Sequence, residues 1–326
     1  MSRARSATVL AALLVLGARA GVRAEDPAPM DATDVVQDTT WSGEVRLARR
    51  IEVRPQATLR IESGTRVTIP WVETGGSEPA DKPGIEVFGR LIADGDGRAP
   101  IRFEPEAPPK AAQALAWTRW RGIVVHDAGP ASARLVRCLI AGAETGFQPG
   151  SPESVARDCA FFECRTGVGV GVLWGSADQV IRMLGDVAPT IEGCRFGSCD
   201  VGVSVELAAR PYVSRCVFVD CRAGVANQRV GKSYPVTGLG AFVDRCEFLR
   251  CTLAIGGPSR VTNSVFEANR LVFAGSGFSE VALTSIDPFV RGRNLYWANE
   301  AVVGSDVPVG ADALFTDPKR RGVTPA

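Results

Sequence analysis

The sequence predicts an all-β chain wound as a parallel β-solenoid of short strands with inserted loops. Three observations carry this reading: a cysteine-centred segment that repeats along the chain, apolar positions two or three residues apart with no 3.6-residue period, and turn-forming residues around each segment. Leucine-rich repeats fit less well, because their leucine spacing and asparagine are missing, and a propeller blade needs about twice the period.

Six segments share one register, at 135–147, 156–168, 191–203, 213–225, 243–255 and 261–273. Counting from the first cysteine, position −3 holds Leu135, Ala156, Ile191, Val213, Val243 and Val261. Position 0 holds Cys138, Cys159, Cys194, Cys216, Cys246 and Ser264, and position +2 holds Ile140, Phe161, Phe196, Phe218, Phe248 and Phe266. Position +5 holds Ala143, Cys164, Cys199, Cys221, Cys251 and Asn269. Position +8 holds Gly146, Gly167, Gly202, Gly224, Ala254 and Val272, and +9 holds Phe147, Val168, Val203, Val225, Ile255 and Phe273. A strand, a corner and a second strand, repeated at spacings of 21, 35, 22, 30 and 18 residues, describe one coil each. Coils stack at the inter-strand distance of about 4.8 Å, so each aligned position becomes a vertical column. The phenylalanines then form a core ladder, and the glycine column marks a corner that needs positive φ or a close approach.

The six segments resemble the right-handed parallel β-helix repeats of secreted bacterial proteins, the pectate-lyase-like superfold. In that family positions 0 and +5 commonly hold Asn, where this chain holds mostly Cys. Residues 41–70, 84–103 and 120–125 resemble the family's first coils, and 294–318 its closing coil. The resemblance implies a right-handed parallel β-helix over 41–318, with a possible cap at 25–40 and a tail at 319–326. It implies no single activity, because the fold hosts lyases, hydrolases, epimerases, adhesins and inert scaffolds.

The nine cysteines all fall on positions 0 and +5. Within a coil the two columns are about 16 Å apart if extended, beyond the separation of about 7 Å that a disulfide spans. Between coils the side chains point in parallel, which holds the sulfurs off disulfide geometry. The expectation is two structural ladders of buried, mostly reduced thiols behaving as small hydrophobes. No C-x-x-C pair suggests zinc. The sequence calls for no cofactor and no metal.

The N-terminus pairs Arg3 and Arg5 with an apolar run to Gly17 and ends on Val22-Arg23-Ala24, the layout of a signal peptide over 1–24. The run is too short for the roughly 20 residues that span a bilayer, and no later stretch qualifies, so no transmembrane segment is expected after cleavage. The expected location is secreted or periplasmic, with cleavage after Ala24. The full chain balances 37 basic against 36 acidic residues; cleavage removes four arginines and leaves 33 against 36, or −3. No overall basic field exists to attract nucleic acid.

Candidate chemistry is sparse. His126 is the single histidine, so no two-histidine metal site exists within the chain. Its neighbour Asp127 points to the opposite face if the strand continues, which favours a surface role for His126. Asp94 and Asp96 read as a turn and not as a calcium loop, which needs further acids. The more informative feature is that the two long spacings insert after the same corner, at 171–187 and 227–240. These loops supply Trp174 and Tyr234 as stacking surfaces and Asp178, Arg182, Asp186, Arg229 and Lys232 as polar groups. Emerging two coils apart on one face, they suit an acidic or cell-surface polysaccharide. The expected function is a non-catalytic binding or structural protein at the cell surface or in the periplasm. A polysaccharide lyase or glycoside hydrolase on the same scaffold is the alternative, although the segments contain no Asp-Asp, no Gly-His-Gly and no repeated acid cluster. Periplasmic metal handling is a second alternative, resting on the cysteines alone.

Overall fold

The computed structural model describes residues 30–70, 82–106, 120–126, 131–171, 188–206, 209–228, 240–257, 259–274, 289–292, 294–299, 301–303 and 313–315. These form a parallel β-helix: one twelve-stranded and two ten-stranded sheets, in which neighbouring strands are always one coil apart. Most strands are three to six residues long, and no helix occurs among the described residues. Each coil places one strand in each sheet, so every inward-facing residue stacks on its equivalents above and below.

The twelve-stranded sheet carries the aromatic column and is called here the aromatic sheet. Phe161, Phe196, Phe218, Phe248 and Phe266 stand in direct register. Their rings stack with centroids 4.6–5.1 Å apart. Tyr296 extends the stack, 5.3 Å from Phe266. Offset aromatic stacking adds about 0.5–1.5 kcal/mol per pair beyond burial. The second wall lines up Leu135, Ala156, Ile191, Val213, Val243 and Val261 and is called the aliphatic sheet. The third, the glycine sheet, turns Val168, Val203, Val225 and Ile255 inward.

Of the two roles expected of the glycine column, positive φ or close approach, the structure shows the second, and the positive-φ corners lie elsewhere. They fall on the residue before each ladder position: Arg137, Asp158, Gly193, Arg215, Arg245 and Asn263 on one edge, and Gly142, Glu163, Ser198, Asp220, Arg250, Ala268 and Ala298 on the other. The Gly146–Gly224 column serves close approach instead. A Cβ at Gly146, Gly167, Gly202 or Gly224 would lie 2.6–2.8 Å from the Phe ring of the next coil. Glycine therefore lets the aromatic column pack against the adjoining strand.

All nine cysteines are free and buried. Each position-0 thiol donates to the −3 carbonyl of the preceding coil, as Cys159 does to Leu135 (3.5 Å) and Cys216 to Ile191 (3.6 Å). Each +5 thiol donates to the +2 carbonyl of the preceding coil, as Cys221 does to Phe196 (3.6 Å). Asparagines make the same bonds one or two coils later, Asn294 to Val261 (3.1 Å) and Asn269 to Phe248 (2.9 Å). Cysteine thus replaces asparagine as a smaller and weaker donor at corners where a polar group must reach a carbonyl. Burial pushes the Cys194 and Cys246 thiols up. At Cys159 and Cys216 burial acts in the same direction, but bonds donated by neighbouring thiols oppose it.

At the first coil, Met30–Asp31 pairs with Glu44–Arg46, and Val35 bridges to Val53. This segment covers part of an edge that would otherwise expose unpaired backbone.

Candidate functional site

The outer face of the glycine sheet carries the most unusual side-chain arrangement among the described residues. It begins with a bulge in strand Trp120–Val125, where the register against Ala143–Gln148 shifts between Gly122 and Ile123. Gly122 has φ +101°, and a Cβ there would lie 1.7 Å from the Thr145 carbonyl oxygen, so no other residue fits. A bulge re-aims the side chain beside it. Trp120 stays inside, its indole donating to the Ala141 carbonyl at 2.8 Å. Arg121 instead reaches the outer face over Gly84 and meets Glu86 at 2.5 Å.

Glu86 is also held by His126, whose Nε2 donates to Oε2 at 2.5 Å. Phe88, opposite His126, stacks on the imidazole with centroids 4.1 Å apart and planes within 8°. The carboxylate of Glu86 is only 6% exposed. Burial alone would push its pKa up, but the His126 bond and the charges of Arg121, His126 and Arg50 outweigh it and hold the carboxyl below its ordinary range. Two guanidiniums and an imidazole gather around one carboxylate. Nearby, Lys82 pairs with Glu144 at 3.1 Å, and Arg165 approaches the same acid at 3.4 Å.

Further along, this face turns apolar. Val201, Ala223, Ala226 and Leu253 form a buried cluster separate from the core, with Leu271 packed against it. Ser204 lies between Gly169 and Ala226 in register and is buried, its hydroxyl without a hydrogen-bond partner among the described residues. Two residues on, burial pushes the Glu206 carboxyl up. Glu206 ends the strand between the two that lead into the long insertions, Thr166–Val170 and Ala223–Gln228.

The predicted loop residues Trp174, Asp178, Arg182, Asp186, Arg229, Lys232 and Tyr234 lie outside the described residues, as does Asp127. Asp96 caps a turn, accepting from the amides of Arg98 (2.7 Å) and Ala99 (2.6 Å), and Asp94 pairs with Arg134 at 2.9 Å. Sequence reading missed Glu86 and Arg121. Glu86 lies 40 residues before His126, and Arg121 faces outward only because of the bulge. The one available signal was Arg-Gly inside an otherwise apolar strand, since an isolated glycine there marks a bulge. No three His, Cys, Asp or Glu side chains among the described residues are placed to hold a metal. No described helix is long and apolar enough to cross a membrane. No family model matches the chain, and no curated protein matches it.

Proposed function

We propose that this chain is an exported binding protein that holds an acidic polysaccharide, at the cell surface or in the periplasm, on the outer face of the glycine sheet. The observation that carries the proposal is the clustering of Arg121, Arg50 and His126 around the single carboxylate of Glu86. Their surplus of positive charge favours carboxylate or sulfate groups, and the Phe88–His126 stack offers a flat edge to a sugar ring. The scaffold is rigid, so binding orders little of it. Binding without hydrolysis is favoured because the acids nearest Glu86 on this face are held in ion pairs, Glu52 with Arg54 at 2.9 Å and Glu144 with Lys82 at 3.1 Å, and the partly buried Glu206 stands four strands from Glu86. That is about 19 Å by strand spacing, whereas paired-carboxylate hydrolysis needs about 5–9.5 Å. The thiols support no metal-handling role, since they are buried and bonded to backbone carbonyls.

Calorimetric titration of the mature chain with polygalacturonate, a sulfated glycan and a neutral glucan tests this. The expected result is binding of the acidic polymers only, weakened by salt and weakened at least about tenfold by Arg121→Ala, the loss of one charged hydrogen bond. Affinity unchanged by Arg121→Ala, in a variant with unchanged thermal midpoint, overturns the site. Ultraviolet absorbance from unsaturated products would establish the enzymatic alternative instead.

A further inference from the structure

The outer face of the aromatic sheet presents a run of seven stacked positions whose chemistry reads the same in both directions. Successive strands place Leu139, Ala160, Arg195, Val217, Glu247, Val265 and Leu295 in direct register. Leu295 is 43% exposed. Arg195 and Glu247 are exposed, while Leu139, Ala160, Val217 and Val265 are half-buried. An apolar column interrupted by one cation and one anion is unusual on a solvent-facing β surface, which ordinarily alternates with polar residues.

The two charges lie on strands Arg195–Gly197 and Glu247–Leu249, separated by strand Val217–Val219. Two strand steps are about 10 Å, too far for an ion pair within one chain. Among the described residues neither side chain has an ion pair or hydrogen bond. On the bordering corners, by contrast, Arg157 and Arg215 share Glu192, and Arg250 pairs with Asp220 at 2.8 Å.

From this register we infer that a second copy of this chain docks on the aromatic sheet, antiparallel, about a two-fold axis through Val217. A two-fold axis lying in the plane between two facing sheets and perpendicular to the solenoid reverses the strand order and keeps each column opposite itself. Val217 then meets Val217 of the second copy. Arg195 meets Glu247, and Glu247 meets Arg195. Ala160 meets Val265, and Leu139 meets Leu295. Arg195 and Glu247, which have no charged partner among the described residues, each gain one, twice per dimer, and the other pairs of these seven positions are apolar, with Arg102 and Leu314 next beyond them. A parallel arrangement would instead bring Arg195 against Arg195 and Glu247 against Glu247. The column spans six strand steps, about 29 Å, and packed sheets sit about 10 Å apart. The interface is independent of the glycan site, which lies on another sheet.

Sedimentation equilibrium of the mature chain tests the inference, with circular dichroism as the control for folding. The wild type is expected to dimerise with concentration. Arg195→Glu alone and Glu247→Arg alone each set like charges face to face and are expected to weaken the dimer at least about tenfold. An equimolar mixture of these two variants restores both pairs across a heterodimer and is expected to dimerise as the wild type does. Val217→Glu, which places two carboxylates at the axis, is expected to be monomeric. The inference is overturned by a wild type that stays monomeric at its highest soluble concentration. It is equally overturned by single reversals that dimerise unchanged, or by a mixture that associates no better than its components.

Discussion

Glu86 and Glu206 sit on the same face of one sheet in opposite electrostatic settings. Glu86 is buried but surrounded by His126, Arg121 and Arg50, and its folded pKa lies below the ordinary 4.5. The stability it contributes is present above that value and lost as pH falls through the lowered folded one. Glu206 is shifted upward by burial. Its contribution is present below 4.5 and lost as pH rises through the raised folded value, so its charge is a liability at neutral pH. Glu86→Gln is therefore expected to lower the thermal midpoint at pH 7, and Glu206→Gln to raise it. Both differences should shrink toward acid, where the two carboxyls are protonated in either state. Midpoints recorded from pH 3 to pH 8 check this, and two variants shifted in the same direction at pH 7 would refute the assignment.

Within the elements, the phenylalanine and glycine columns exist for one another. Phe218 is fully buried between Phe196 and Phe248, at 4.7 and 4.6 Å, and the ring lies where a side chain on Gly202 would go. Phe218→Ala is expected to cost about 3–5 kcal/mol, the range for an aromatic removed from a packed core. Gly202→Ala adds a Cβ 2.6 Å from the same ring and is expected to cost about 1–3 kcal/mol by overpacking. The double variant should lose less than the sum, because the new methyl group enters the cavity left by the ring. Urea denaturation midpoints of the three variants decide it. Simple additivity would mean that the two columns do not touch.

Over the whole molecule, stability is that of a stack in which each coil touches only its neighbours. Cysteine serves such a stack because it is compact enough for a corner and still donates to the carbonyl above. The nine thiols run through five of the coils in two internal columns, closed off from solvent. Alkylation of the native protein followed by intact mass is expected to add few or no labels, and to add nine after unfolding without reductant. Peptide mapping that finds disulfides between coils would contradict the two thiol ladders.

The repeat was legible in the sequence because stacking converts linear spacing into columns. Phe161, Phe196, Phe218, Phe248 and Phe266 could be placed before any coordinates, since a core position admits few residue types. The coil at 294–299 was legible only in outline. Asn294, Tyr296 and Asn299 occupy the same columns but share only the Asn269-type residue of the last segment, and the equivalence shows in the bonds of Asn294 to Val261 and Asn299 to Phe266. The glycine column is expected from the sequence to serve positive φ or a close approach, and the structure shows the close approach; positive φ falls on arginines, aspartates and others at the corners, where stacking geometry sets the backbone. The site depended still more on tertiary structure. His126, Glu86 and Arg121 meet through a bulge and a register between coils. Sequence alone determined what repeats, because burial restricts composition along every coil. Which exposed residues from separate coils come together was decided by register, on which composition at the surface places almost no restraint.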